Sequence, residues 1–99
     1  MGLRGYLLVG VADDVDQQQF MTALREVEET AGVDFVAPVV GSYDMVILVD
    51  APDTVESLAN KIRAKRWVKN METLRIVSTF ERHRASKKEM LRALTHNGV

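Results

Sequence analysis

A glycine, a serine, a tyrosine and an aspartate that could together form a ligand-binding turn stand in Val40-Gly41-Ser42-Tyr43-Asp44, between two β-prone runs. Glycine accepts positive φ angles and lets another group approach the backbone closely. Exposed N–H groups in such a turn could receive a carboxylate, while the carboxylate of Asp44 could accept an ammonium group. Together these two capacities are what binding of a free α-amino acid requires. In the alternative interpretation, Gly41 makes the turn and Asp44 only satisfies its hydrogen bonds.

No other set of side chains indicates catalysis or metal binding. The two histidines, His83 and His96, both lie near the C-terminal end, and no further ligands stand at the close spacing that a metal site needs. Cysteine is absent, which excludes disulfides, thiol catalysis and sulfur-rich zinc sites. No serine, lysine or carboxylate pair has an activating partner at a recognisable spacing. We therefore expect no catalytic residues, no metal and no cofactor.

Length and composition indicate one ordered domain with a charged tail. The chain has 99 residues, of which 46% are hydrophobic and 27% are charged, so enough apolar surface is present to form a core. Residues 1–81 hold eight basic and thirteen acidic side chains, a net charge of −5. Residues 82–99 hold five basic and one acidic side chain, a net charge of +4. We predict a globular domain over residues 1–81 and a basic helical tail over residues 82–99.

Basic residues between Lys61 and Lys69, and others in the tail, raise the question of nucleic-acid binding. The pI is about 6.1, however, and no aromatic residues stand among the basic ones to form a stacking surface. We expect a solvated basic rim and no direct DNA binding, although the tail could dock on the acidic body of a neighbouring subunit. No targeting signal is present, and no apolar stretch is long enough to span a bilayer. We therefore expect a cytoplasmic protein without membrane contact.

The first two elements ahead of the hairpin are a strand and a helix. Leu3–Ala12 is apolar on both faces, which is typical of a central strand covered on both sides. Asp13, Asp14 and Asp16 supply the carboxylates that favour a helix start. We predict that Gly32 ends the helix in a left-handed cap. The apolar face of this helix is formed by residues at helical spacing: Phe20, Leu24, Val27 and Ala31.

Two strands and a second helix follow. Asp34–Val40 contains Pro38, which predicts an edge strand because proline cannot donate to a ladder. Gly41-Ser42 makes a tight reversal, and Asp44–Asp50 is apolar on both faces, so it is predicted to be the second central strand. Asp53-Thr54-Val55-Glu56 predicts an acidic capping box at the start of the second helix. This helix carries an apolar face and a basic C-terminal end: Val55, Leu58, Ile62, then Lys61, Arg63, Lys65 and Arg66.

A last strand is predicted over Val68–Phe80, and a short third helix from Ser86. The order β-α-β-β-α-β is the ferredoxin-like pattern of an α+β domain, with a four-stranded antiparallel sheet and two helices on one face. The central strands also carry apolar side chains on the other face, and such a patch is typical of an interface. We therefore expect a homodimer, sheet against sheet. Partial cover by the tail helix is the alternative.

The hairpin also supports a resemblance. Gly41-Ser42-Tyr43-Asp44-Met45-Val46-Ile47 resembles the G-x-Y-D-hydrophobic signature of the Lrp/AsnC ligand-binding (RAM) domain. Met71–Val77 is similar to the threonine-bearing last strand of that family, and the resemblance extends from about Leu3 to Glu81. It implies a dimeric αβ-barrel, often assembled further into rings, with an effector, commonly an amino acid, bound between dimers near the hairpin.

Carried onto this chain, the resemblance implicates Gly41 and Asp44 directly, with Ser42 and Tyr43 as neighbours and Thr73 as a further ligand-binding candidate. The regulators of that family begin with a helix-turn-helix, whereas the first strand here starts almost at residue 1. The resemblance therefore indicates a stand-alone effector-binding and oligomerisation domain. The basic tail is longer than the usual ending in the family, and it could block or redirect ring assembly.

Two alternative functions stay open. The chain could be a structural module that pairs with full-length regulators through matching sheets. It could also be an enzyme, because Trp67, His83 and Asn60 match the residue types of haem-degrading monooxygenases on the same fold. The asparagine of that family belongs on the first strand, whereas Asn60 is predicted to lie within a helix. We therefore expect no enzymatic activity.

Overall fold

The computed structural model describes residues 3–77, and its elements follow the predicted order. The predicted third helix and the basic tail lie outside the described residues. Within residues 3–77 no helix is both long and apolar enough to cross a membrane. The elements are β1 (Leu3–Val11), α1 (Gln17–Glu28), β2 (Val33–Pro38), β3 (Met45–Ala51), α2 (Val55–Arg63) and β4 (Val68–Arg75).

The strands form one antiparallel sheet in the order β2-β3-β1-β4. The ferredoxin-like α+β fold is therefore confirmed, with β1 and β3 at the centre. Pro38 lies on β2 at one edge, as its missing N–H predicts. The register places Leu7 of β1 opposite Ile47 of β3 and Thr73 of β4. Since facing residues in a sheet point to the same side, this row fixes which side chains share a face.

The helices cover one face of the sheet and leave the other open. Alternate residues of β1 and β3 are fully buried together with residues from both helices: Leu7, Val9, Met45, Ile47, Val49, Val27, Val55 and Ile62. The side chains between these residues on β1 and β3 point to the opposite side of the sheet, together with their partners on β2 and β4. They form what we call the open face: Tyr6, Leu8, Phe35, Val46, Leu48 and Leu74. Tyr6 is 37% exposed, Leu74 is 44% exposed and Phe35 is 47% exposed. The open face is thus an apolar surface without a covering layer in the described chain.

Helix α1 begins as predicted but ends earlier. Asp16 caps it in a capping box with Gln19, whose side chain accepts from the Asp16 N–H at 2.9 Å. The helix ends at Glu28, so the prediction that it extends to Gly32 is wrong. The Thr30 N–H donates to the carbonyl of Val27, three residues back, and this tighter turn diverts the chain. Gly32, with a φ of +94°, then leads directly into β2.

Two further predicted boundaries also need correction, whereas the ends of β1, β2 and β3 differ from the prediction by at most two residues. Helix α2 is capped by Thr54 and not by Asp53, because the Thr54 hydroxyl accepts from the Ser57 N–H at 2.9 Å. Strand β4 ends at Arg75, earlier than predicted, and residues 78–80 of the predicted strand lie outside the described residues. Ile76 still donates to the carbonyl of Arg4 at 2.9 Å, but Arg4 is only the second residue of β1, so the ladder stops there.

A β-bulge interrupts β4 near its start. Gly10 faces Asn70, and the next residue, Val11, faces Val68, so Lys69 is an extra residue without a partner on β1. Such a bulge bends the strand and turns a side chain away from the direction that regular pleating would give it.

Candidate functional site

The hairpin of residues 39–44 joins β2 to β3 and is held by backbone hydrogen bonds. The Val39 N–H donates to the carbonyl of Asp44 at 3.0 Å, and the Asp44 N–H donates to the carbonyl of Val9 at 2.8 Å. Gly41 has a φ of +149°, a conformation that L-residues rarely adopt. Within residues 3–77, no atom beyond its two chain neighbours lies within 4 Å of the position of a Cβ there. Backbone conformation and not crowding therefore requires glycine at the tip, which stays open to an approaching group.

Asp44 is anchored on the central strand. Its Oδ2 atom accepts a hydrogen bond from the Val11 N–H at 2.7 Å, so the carboxylate does satisfy the local backbone. Its Oδ1 atom accepts no hydrogen bond from any residue between 3 and 77. The side chain is also only partly buried. Asp44 therefore has a structural hydrogen bond and keeps an acceptor for a ligand.

An open cleft of about 470 Å³ lies beside the hairpin, and we call it the hairpin cleft. It is bounded by the hairpin, the end of β1, the start of α1 and the bulge of β4. Its apolar wall includes Val15, Phe20 and Val39, and its polar rim consists of Asp13, Ser42, Asp44 and Lys69. The N–H groups of Gly41 and Ser42 form no hydrogen bond within residues 3–77. Free donors and acceptors thus meet at one mostly polar depression with a small apolar wall.

The rim holds one cation and two carboxylates. Lys69 Nζ donates to Asp13 Oδ1 at 3.0 Å. This hydrogen bond, followed by the negative charges of Asp13 and Asp44, raises the pKa of Lys69. The ammonium group therefore stays charged throughout the physiological pH range.

Gly41, Ser42 and Asp44 come together at the hairpin cleft, whereas Tyr43 and Thr73 lie elsewhere. The Tyr43 hydroxyl donates to Glu72 Oε1 at 2.7 Å, a hydrogen bond that raises the pKa of Tyr43. Glu72 faces Leu8 across the β1–β4 ladder, so it belongs to the side of the open face. Because β1 lies between β3 and β4, the Tyr43 side chain spans β1 to reach it.

Thr73 lies on the helix-covered side of the sheet, opposite Leu7. Its hydroxyl oxygen is buried and has no hydrogen-bond partner in the described part of the chain. Ligand binding by Thr73 stays a prediction, and the hydroxyl does not line the hairpin cleft.

Asp13 and Lys69 are the cleft residues that the sequence did not single out. We interpreted Asp13 as part of a helix start and Lys69 as part of a basic rim. The usable signal was the predicted topology, since β4 runs antiparallel beside β1. Residues that directly follow β1 must then meet residues at the start of β4.

The residues of the monooxygenase alternative occupy a different place. Trp67 lines a second open cleft of about 400 Å³, beside α1, and its Nε1 donates to Glu26 at 3.2 Å. Asn60 is exposed on α2, where it accepts from Arg63 at 2.6 Å, and it does not line that cleft. His83 lies outside the described residues. Among residues 3–77 no cluster of three His, Cys, Asp or Glu side chains could hold a metal ion.

No protein-family model matches the sequence, and no curated protein sequence matches it. Solved structures do match the fold. An AsnC family transcriptional regulator from Agrobacterium tumefaciens superposes with a TM-score of 0.67 over 79% of this chain, at 14% identity. TTHA0845 from Thermus thermophilus superposes with a TM-score of 0.63 over 78% of this chain, at 25% identity.

A third similar structure is the transcriptional regulator NMB0573 from Neisseria meningitidis in complex with L-Met, with a TM-score of 0.61 over 79% of this chain, at 13% identity. This chain spans 52% and 51% of the two regulators, but 95% of TTHA0845. The predicted resemblance to Lrp/AsnC-type regulators is thereby confirmed at the level of the fold.

Proposed function

We propose that this chain is an effector-binding and oligomerisation domain of the Lrp/AsnC type, and that it takes a free amino acid in the hairpin cleft. The observation that carries the proposal is the cleft itself, where free backbone donors and a carboxylate acceptor stand together beside a small apolar wall. The fold supports it, because a regulator of the same fold was solved in complex with L-Met. In this proposal the domain is a sensor and not an enzyme.

Each polar group of the cleft has a counterpart on an α-amino acid. The N–H groups of Gly41 and Ser42 receive the α-carboxylate, because backbone donors in a turn form an anion-binding concavity. The free Oδ1 atom of Asp44 accepts from the α-ammonium group in a charge-assisted hydrogen bond. The ligand side chain then lies against the apolar wall.

The open face supports the second half of the proposal, which is a homodimer formed sheet against sheet. Its apolar side chains come from all four strands, and contiguous apolar surface of this kind marks interaction sites. A second copy presents the same face, so a two-fold axis pairs like with like. Ligand binding would act on this assembly or on a higher ring of dimers.

A thermal-shift screen of the full chain against the twenty amino acids tests the sensor function. A ligand that binds only the folded state stabilises it by about 2.7 kcal/mol at a hundred times its Kd. We expect one amino acid, or one chemical class, to raise the melting temperature. Asp44→Asn should abolish the shift while its amide oxygen retains the hydrogen bond from the Val11 N–H. Asp53→Asn, an exposed carboxylate outside the cleft, is the matched control and should keep the shift.

A second candidate function is favoured by the open face alone. In it, the domain pairs with a full-length regulator through matching sheets and binds no effector. A flat response to all twenty amino acids at millimolar concentration, with stable dimers in solution, would contradict the sensor function and favour this scaffold.

A further inference from the structure

The bulge at Lys69 has a consequence for what the hairpin cleft binds, and the inference rests on the proposed amino-acid site. As the extra residue between Val68 and Asn70, Lys69 is freed from the regular alternation of β4. Its side chain enters the rim of the cleft and meets Asp13 at 3.0 Å. A cationic side chain is thus directed into a cleft that already holds Asp44.

The Lys69–Asp13 ion pair is easily exchanged. The Lys69 side chain is 51% exposed and that of Asp13 is 89% exposed. Ion pairs exposed to this degree contribute little net stability, because water and salt compete for both partners. An incoming carboxylate can therefore replace Asp13 on the ammonium group at small cost.

The charges of the rim do not balance. Asp13 and Asp44 contribute two negative charges and Lys69 contributes one positive charge, which leaves a net charge of −1. A neutral zwitterion would use Asp44 and Lys69 and leave Asp13 without a cation. An acidic amino acid would add to the excess, whereas a ligand with a second cationic group would remove it.

We propose that the hairpin cleft selects an amino acid with a cationic side chain. Lys69, together with the N–H groups of the hairpin, binds the α-carboxylate, and Asp44 binds the α-ammonium group. Asp13, released from Lys69, binds the side-chain cation. Lys69 thus binds the carboxylate of the ligand when a ligand is present, and it pairs with Asp13 when no ligand is bound.

Isothermal titration of the full chain with lysine and with norleucine tests this selection. The two amino acids have the same carbon skeleton, and only lysine carries the side-chain ammonium group. We expect lysine to bind up to about fivefold more tightly than norleucine, because an exposed ion pair contributes at most about 1 kcal/mol, with arginine similar to lysine and glutamate weakest.

Two variants then separate the two charges. Asp13→Asn should weaken lysine binding and should not weaken norleucine binding, so that the two ligands bind with similar affinity. Lys69→Met should weaken both ligands, since both present an α-carboxylate. The matched control is Asp34→Asn: Asp34 is also a bulge residue in an exposed ion pair, with Arg4 at 3.2 Å, but outside the cleft. It should change neither affinity.

The outcomes distinguish this selection from the proposed function on which it rests. Norleucine binding as tightly as lysine in the unaltered chain would overturn the charge selection and leave amino-acid binding intact. Equal loss of both ligands in Asp13→Asn would overturn the assignment of Asp13 to the side chain. If none of the twenty amino acids binds, both the selection and the amino-acid site are wrong.

Discussion

At the scale of single residues, Asp44 has two tasks on two oxygen atoms. Oδ2 accepts from the Val11 N–H at 2.7 Å, whereas Oδ1 faces no donor among residues 3–77. Under the proposed function, removing the side chain therefore disturbs stability as well as binding. Separating the effect on stability from the effect on binding requires a variant that keeps the acceptor for the Val11 N–H and removes only the negative charge.

We predict that Asp44→Ala lowers the free energy of unfolding by about 1–3 kcal/mol, because it leaves the part-buried Val11 N–H without its acceptor. Asp44→Asn should lose much less, since the amide oxygen accepts from the same N–H. Urea unfolding of both variants against the unaltered chain measures the difference. Equal stability of all three proteins would show that the hydrogen bond to Val11 contributes nothing.

The sequence predicted the local part of the site and not the distant part. Gly41, Ser42 and Asp44 are nearly contiguous, so one hairpin brings them together whatever the rest of the fold does. Asp13 and Lys69 are 56 residues apart, and only the pairing of β1 with β4 and its bulge makes them neighbours. A single-residue irregularity of this kind leaves no periodic signal in the sequence.

At the scale of elements, the start of α2 depends on which residue caps it. The sequence favoured Asp53, because Glu56 stands three residues later as in a capping box. The structure instead has the Thr54 hydroxyl accepting from the Ser57 N–H at 2.9 Å. The general lesson is that apolar spacing predicts that an element exists, whereas the exact ends depend on single hydrogen bonds.

Thr54→Ala is therefore predicted to lower the free energy of unfolding by about 1 kcal/mol, as loss of an N-cap hydroxyl usually does. Asp53→Ala should change it by much less, because Asp53 lies outside the helix and is exposed. Chemical denaturation of the two variants gives both values. A larger effect for Asp53 would mean that the capping box predicted from the sequence forms in solution.

Helix α1 is tied to the segment before β4 through Glu26. Its carboxylate accepts from Lys65 Nζ at 2.7 Å and from Trp67 Nε1 at 3.2 Å. These two hydrogen bonds, that of Lys65 first, hold the pKa of Glu26 below its ordinary value of 4.5. Since the folded-state pKa is depressed, the stabilisation is complete above pH 4.5 and is lost as the pH falls through the folded-state pKa.

Trp67 reports this change directly, because it is the only tryptophan of the chain. We predict a step in its fluorescence as the pH falls below 4.5, caused by protonation of its acceptor. Glu26→Gln should remove the step. Glu28→Gln, an exposed carboxylate on the same helix, should retain it. A step that persists in Glu26→Gln would assign it to another group.

At the scale of the whole molecule, the open face is the surface through which we propose that the chain assembles. We predict a dimer in solution that Leu74→Glu converts to a monomer, because a charge placed in an apolar interface has no partner there. Met21→Glu is the matched control: Met21 is a similarly exposed apolar residue, but it lies on α1. Sedimentation equilibrium measures both masses. A monomeric unaltered chain at micromolar concentration would contradict the dimer.

The sequence predicted which face of the sheet is left uncovered better than it predicted the ends of the helices and strands. Strands apolar on both faces and helices apolar on one face determine which surface lacks cover, and this inference needs no exact boundary. The uncovered apolar face is present within residues 3–77, although the end of α1, the cap of α2 and the end of β4 were all predicted wrongly, and the dimer stays a prediction.

Tyr43 and Asp44 are neighbours in the chain, yet one contacts Glu72 on the side of the open face and the other lines the hairpin cleft. Under the proposed function, an effector and a second copy therefore act on adjacent residues. Thermodynamic reciprocity then applies: the factor by which assembly changes effector affinity equals the factor by which effector changes assembly. If this factor differs from one, the effector concentration at which half of the sites are occupied depends on the concentration of the protein itself. A change in the amount of this chain would then change the response to a constant effector concentration.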